Sequence, residues 1–194
     1  FFDMTLQLVG QLARCGYPLL RRRKHDNCLP LQIILTADRR RFGHIGVTDH
    51  RALDLGRAEQ LASTWSTTNS CTVASYADID QMLRDAHPDA VSIATPDNAH
   101  RDPCLAALAM GAHVLVEKPL TVTVAQCRDL VTLAQARKRV LQVGHVERFN
   151  PVMEKVRPLV RKPIFFECQR VSPFTGRSAD VDVVLDMMIH DLDM

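Results

Sequence analysis

"AHVLVEKPLTVT" (112–123) carries the reading of the fold. Val114, Leu115 and Val116 form a short apolar run with β-branched residues, the kind that sits inside a parallel sheet. The run stops at Glu117-Lys118-Pro119, where two opposite charges precede a ring that cannot extend a hydrogen-bonded ladder. Thr123-Val124-Ala125-Gln126 then has the spacing of a capping box. Behind it Val124, Cys127, Leu130, Val131 and Ala134 form one helical stripe, expected to face inward. The stretch therefore reads as a β-α unit with a charged strand end.

The same alternation extends on both sides. Upstream, "AVSIATP" is a second buried-type strand. "RDPCLAALAMG" follows as a helix, with Asp102 to cap, Pro103 at the first helical position and Gly111 to terminate. Before these, "DIDQMLRDAHP" offers Asp78 as an N-cap, Ile79, Met82, Leu83 and Ala86 on one face, and a stop before Pro88. Further back, "HIGVTD" is a strand ending in Asp49, "LGRAEQLAS" a helix and "CTVASY" a short extended piece. Downstream, "VLQVGH" is another strand. Repeated units of this kind predict a doubly wound α/β domain with a parallel sheet and helices on both faces, over 43–149.

Residues 1–42 do not fit that scheme. A dinucleotide-binding sheet opens with a strand, a G-x-G-x-x-G turn and a helix. Here "LQIILTADRRRFGHIG" has Gly43 and Gly46 without that turn, and Gly46 is better used inside the strand leading to Asp49. The segment reads either as a divergent start or as a non-native frame. From 150 the texture changes again. "PVMEKVRPLV" predicts a short helix, "PIFFECQRV" alternates as a half-exposed strand does, and "DVDVVLDMMIHDLDM" predicts a helix. Residues 150–194 are taken as the start of a truncated α+β domain. Opening on Phe1 and ending on "HDLDM", the chain is expected to be a fragment.

Composition narrows the class. With 194 residues, 46% hydrophobic and 24% charged, the chain is of ordinary globular type. A net charge of +2 makes no electrostatic case for nucleic acid or membrane as partner, and Arg21-Arg22-Arg23-Lys24 reads as a solvated tail. Six cysteines without a C-x-x-C pair suit reduced thiols in the cytoplasm. No apolar stretch approaches the ~20 residues of a membrane span.

Open parallel sheets bind ligands at the carboxyl ends of their strands. Three such ends carry unusual residues: Asp49, then Thr95-Pro96 with His100, then Glu117-Lys118-Pro119. Asp49 is either an acceptor for ribose hydroxyls, favouring NAD over NADP, or a plain turn residue. His100 is either a crevice residue or a surface residue at a helix start. Lys118 is either a solvated lysine after a strand or an amine at a crevice mouth, able to hydrogen-bond a substrate hydroxyl or join proton transfer. On the final helix, ~100° per residue places Asp182, Asp186, His190 and Asp193 on one face. A histidine one turn after an acid can be oriented by it and take a proton from an alcohol. A solvated helix face shows the same stripe. A metal held by Asp186, His190 and Asp193 is the least favoured reading, and no metal is expected.

Together, "VSIATPDNAH", "GAHVLVEKPLTVT" and the D-x-x-x-H-x-x-D segment "DMMIHDLD" resemble the glucose-fructose oxidoreductase/inositol dehydrogenase (Gfo/Idh/MocA) family, from about Ile45 to Met194. The resemblance implies a Rossmann domain followed by an α+β domain whose open sheet often serves as a subunit interface, hence a homo-oligomer. It implies NAD(P)-dependent oxidation or reduction of a sugar or cyclitol hydroxyl. Lys118 would then be the catalytic lysine, His190 the general acid/base and Asp186 its polar companion, with Lys118 and His190 meeting at one sugar oxygen. Pro96, His100, Glu117 and Lys118 would line the cofactor crevice, with Thr95 beside them. Met188 stands where many members have glycine.

Within the family, "VGHVERFNP" and "SPFTGRSADVDVVLDMMIHDLD" are similar to the branch that oxidises the 3-hydroxyl of UDP-N-acetylglucosamine. Arg148, Asn150 and Arg177 are the residues expected to contact such a substrate, with surface salt bridging the equal alternative for the arginines. The missing glycine-rich turn supports a rival reading: a non-catalytic sugar-nucleotide-binding or regulatory relative that keeps the fold without the cofactor.

Overall fold

A strand rich in Val and Ile is stable only when neighbours complete its hydrogen bonds and cover its faces. The computed structural model describes residues 78–169 and 182–194, the strands at 32–35 and 45–48, residue 171, and pieces at 59–60, 62–63, 66–67 and 74–76. The chain divides into two units, Phe1–Val143 and Gly144–Met194.

In the first unit, β1 (Gln32–Leu35) and β2 (Ile45–Thr48) pair antiparallel, Ile33 opposite Val47. Gly46 lies inside β2, as its position in "HIGVTD" suggests, but β2 does not run parallel to its partner. The stretch 36–44 is shorter than the dozen or so residues a parallel crossover requires. The backbone of β1 also lies beside that of β3 (Ala90–Ile93).

Between β2 and β3 stands α1 (Ile79–Ala86). The Asp78 side chain accepts from the Gln81 N–H at 2.7 Å, and His87 leaves the helix in the left-handed region just before Pro88. Met82 and Leu83 are fully buried. Helix α2 (Arg101–Ala109) begins earlier than its sequence suggests. Asp102 does not cap it: a 3-10 turn at Asp97–Ala99 runs straight in, and His100, already helical at φ −73°, takes the cap position. Pro103 sits inside the first turn, where its missing N–H costs no helical bond. Gly111, at φ +87°, ends the helix in a conformation that favours glycine, and the Ala112 N–H reaches back to the Ala107 carbonyl at 2.9 Å.

The strand β4 (His113–Val116) is the centre of a parallel sheet ordered β3-β4-β5, with β5 at Leu141–Val143. Val91 is level with Val114 and Ile93 with Val116, and all four side chains are buried on one face. Leu115, expected inside, is half-buried on the other face. Helix α3 (Val124–Arg137) crosses from β4 to β5, and Thr123 caps it by accepting from the Gln126 N–H. Its stripe is narrower than the periodicity suggests. Leu130 and Ala134 join the core and Cys127 is half-buried, whereas Val124 is 66% exposed and Val131 43%. This is a Rossmann-type parallel sheet with crossover helices. Its core gathers Met82, Leu83, Val91, Ile93, Leu108, Val114, Val116 and Leu130, each side chain worth ~1.5–3 kcal/mol on full burial.

The second unit contains α4 (Pro151–Val156), entered through a 3-10 turn at Val146–Phe149, and α5 (Ile189–Asp193). The "PIFFECQRV" strand is absent among the described residues. Ile164, Phe165 and Phe166 are exposed, and no strand among the described residues offers them a ladder. The terminal helix is not uniform either. Val184–Met188 form a π-helical turn, in which the Ile189 N–H bonds to the Val184 carbonyl. Among the described residues no helix is long and apolar enough to cross a membrane.

Candidate functional site

The carboxyl ends of β3 and β4 lie side by side, because the two strands are parallel and in register. Chain leaving β3 runs through Thr95-Pro96; chain leaving β4 runs through Glu117-Lys118-Pro119, whose Lys118-Pro119 peptide is cis. The Glu117 N–H donates to the Ile93 carbonyl at 2.9 Å, which extends the ladder to the last residue before the lysine. Lys118 is half-buried at this edge. The sequence folds this way locally because Pro119 has no N–H with which to continue the pairing.

His100 ties the two ends together. Its ring is fully buried, with Nδ1 2.7 Å from the Pro119 carbonyl oxygen and Nε2 2.8 Å from that of Thr95. It therefore offers no exposed ring edge to line a crevice; both polar atoms face backbone. Pro96 is half-buried, and its carbonyl accepts from the Ala99 N–H at 2.8 Å. Glu117 is half-buried, and burial pushes its carboxyl above the usual range. The Lys118 N–H (3.3 Å) and the charges of Lys118 and His100 oppose that rise.

The Thr95 hydroxyl is buried without a hydrogen-bond partner among the described residues. Such an orphan costs on the order of 1–3 kcal/mol unless something bonds it. An orphaned hydroxyl just past the end of β3 and a half-buried lysine just past the end of the adjacent β4 suit the carboxamide and ribose of a nicotinamide nucleotide. The pyrophosphate end is different: the eight glycines include no G-x-G-x-x-G. Among the described residues no three His, Cys, Asp or Glu side chains gather as metal ligands.

The second unit carries the other predicted residues. Arg148 directs its guanidinium fork at Asp193: Nε donates to Oδ2 at 3.0 Å, and Nη2 donates to Oδ1 and to the Asp193 carbonyl. That hydrogen bond holds the Asp193 carboxyl below the usual range; burial opposes it, and the charges of His145, Arg148 and His190 assist. The pair joins the 3-10 turn after β5 to the helix bearing His190. Arg148, read either as a substrate contact or as a salt-bridging residue, is thus committed to a carboxylate within its own unit. Asn150 is committed too: its Oδ1 accepts from the Val152 N–H at 3.0 Å as the cap of α4, and its Nδ2 donates to Glu147 at 3.1 Å. Asp186 and His190 are half-buried, whereas Val184, Met188 and Leu192 are exposed, so the acid-histidine face is the more covered one. Asp182, predicted on that face, is exposed and accepts from the Val184 N–H at 2.7 Å.

His145 is a residue that sequence reading passed over. Its Nδ1 is buried without a partner among the described residues, and its charge acts on Asp193. Position in "VGHVERF" offers no signal, because the facing residue lies far along the chain. Asp49 and Arg177 lie outside the described residues. Lys118 falls in the first unit, and Asp186 and His190 in the second.

Residues 38–145 match the model of the oxidoreductase family with an NAD-binding Rossmann fold, Gfo/Idh/MocA. The chain belongs to this family. Among Gfo/Idh/MocA relatives, it is 39% identical over 120 residues to the UDP-N-acetylglucosamine 3-dehydrogenase of Acidithiobacillus ferrooxidans, covering 61% of this chain and 38% of that protein. It is 32% identical over 145 residues to an inositol 2-dehydrogenase of Rhodococcus jostii, covering 71% of this chain and 38% of that protein. The crystal structure of the Acidithiobacillus enzyme, GnnA, superposes with a TM-score of 0.65 at 35% identity, over 75% of this chain and 45% of that one. The chain thus spans less than half the length of these Gfo/Idh/MocA relatives.

Proposed function

We propose that this chain serves an NAD-dependent dehydrogenase that oxidises the 3-hydroxyl of UDP-N-acetylglucosamine to a ketone. The observation that carries the reading is Lys118, half-buried at the carboxyl end of the central strand β4, with the orphaned Thr95 hydroxyl just past the end of the neighbouring strand β3. Similarity to a UDP-N-acetylglucosamine 3-dehydrogenase supports the substrate. Asp49, next after β2 in sequence, favours NAD over NADP by accepting from ribose hydroxyls.

Bound nicotinamide would supply the hydride acceptor. Thr95, Pro96, Glu117 and Lys118 would hold its ring end. The Lys118 ammonium would donate to the reacting oxygen and stabilise the negative charge that grows there as the hydroxyl proton leaves. His190 takes the hydroxyl proton, and Asp186 keeps its imidazole oriented. Arg177 offers a fork for the diphosphate. Residues 43–149 form the cofactor domain after an atypical segment 1–42, and 150–194 begin the substrate domain of a cytoplasmic homo-oligomer.

A second reading follows from the absent G-x-G-x-x-G: a relative that binds a sugar nucleotide without catalysis. Titration with NADH, followed by fluorescence, separates the two. The dehydrogenase reading expects saturable binding, NADH formation from NAD and UDP-N-acetylglucosamine, and at least ~100-fold slower turnover in Lys118→Ala. Sugar-nucleotide binding without any NADH signal establishes the second reading and ends the first.

A further inference from the structure

A buried histidine between two carbonyls raises a question of donor count. Neutral imidazole has a single N–H, and its other nitrogen is an acceptor. The two ring nitrogens of His100 lie 2.7 and 2.8 Å from the Pro119 and Thr95 carbonyl oxygens. Neither oxygen can donate. With one N–H, one of these contacts would set lone pair against lone pair at hydrogen-bonding distance, in a ring with 0% exposure. Burial of an unmatched acceptor pair is costly. Both separations instead match charge-assisted N–H···O bonds, about 2.7–2.9 Å.

We infer that His100 is a positioning residue, protonated on both ring nitrogens, that staples the end of β3 to the end of β4 and so fixes Thr95-Pro96 against Lys118-Pro119. The charged groups around it are identifiable. Glu117, on the β4 end, interacts favourably with the His100 charge. Lys118 on that strand end and Arg101, next along the chain, are like charges, while Asp102 is exposed on the first turn of α2. Cys104, whose N–H donates to the His100 carbonyl at 3.2 Å, has its thiol pushed up to about 12 by burial and stays neutral. Glu117 is therefore a carboxyl that a charge on the ring favours in its ionised form. The staple needs no bound cofactor and holds for a dehydrogenase and for a non-catalytic relative alike.

Long-range proton–nitrogen NMR of the 15N-labelled chain tests the protonation. Two slowly exchanging ring N–H protons on His100 at neutral pH are expected; an unprotonated ring nitrogen overturns the inference. His100→Phe tests the positioning by hydrogen exchange. The Glu117 amide, bonded to Ile93, should exchange at least ~10-fold faster, while the Val114 amide, bonded to Val140, is unchanged. Equal acceleration at both amides signals general loosening and overturns the positioning role. If His100→Phe does not fold, the ring signals are assigned through side-chain correlations in the unaltered chain. The proton count then decides.

Discussion

Leu130→Ala and Val124→Ala make a matched pair of perturbations in one helix. Periodicity places both residues on the inward stripe of α3, and a stability loss of similar size would follow for each. The structure separates them: Leu130 is 0% exposed within the core, and Val124 is 66% exposed at the first turn. Truncating a fully buried leucine removes its transfer energy and leaves a cavity, at ~2.7–5 kcal/mol. Taking ~3 kcal/mol and ~2–4 °C per kcal/mol for a chain of this size, Leu130→Ala should melt ~6–12 °C lower. Val124→Ala loses little burial and gains helix propensity, since Ala is favoured over Val by several tenths of a kcal/mol. Its net effect should lie within ~0.5 kcal/mol of zero. Urea unfolding followed by circular dichroism measures both. Equal losses at the two positions would refute the packing of α3 described above.

Three further outcomes follow from local geometry. Asp78→Ala removes the carboxylate that accepts from Gln81 and should cost ~1 kcal/mol by urea unfolding, with Asp78→Asn retaining most of it. Arg148→Ala removes the donor that depresses the Asp193 carboxyl. A depressed carboxylate contributes stability above its unfolded value and loses it as pH falls through its folded one. The gap between Arg148→Ala and the parent, under ~1 kcal/mol for a pair whose arginine is half-exposed, should be full at neutral pH and close as pH falls below ~4; a gap unchanged in acid would refute the pairing. Native alkylation at ~pH 8 should modify exposed Cys168 and spare Cys104, buried with its thiol pushed up to about 12, as read by peptide mass spectrometry.

What could be read from the chain alone was mostly local. Asp78, Thr123 and Gly111 act within four residues of themselves, so their roles are written in adjacent letters. The parallel order β3-β4-β5 follows from alternation, because each crossover helix returns the chain in the same direction. Asp102 misled, because the turn at Asp97–Ala99 and the anchored His100 carry the helix start upstream. The burial of His100 and the identity of Arg148's carboxylate partner escaped for another reason, although salt bridging stood as an equal reading for that arginine. The two residues' partners, Pro119 and Asp193, lie 19 and 45 residues away, and no periodicity connects such pairs. The strand expected in "PIFFECQRV" has the right alternation, but alternation describes a face and cannot supply the neighbour.

The widened turn at Val184–Met188 sets the rotational phase of everything beyond it. Removing one residue from that turn would return the segment to a 3.6-residue winding, and because the wide turn only takes up an extra residue, the imidazole of His190 would keep nearly the same side of the axis. Removing a residue from a regularly wound turn would instead rotate everything beyond it by ~100°, and the acidic and aliphatic sides would trade places in part. A single-residue deletion between Val184 and Met188 is therefore gentler on the orientation of His190 than one in a regular helical turn would be.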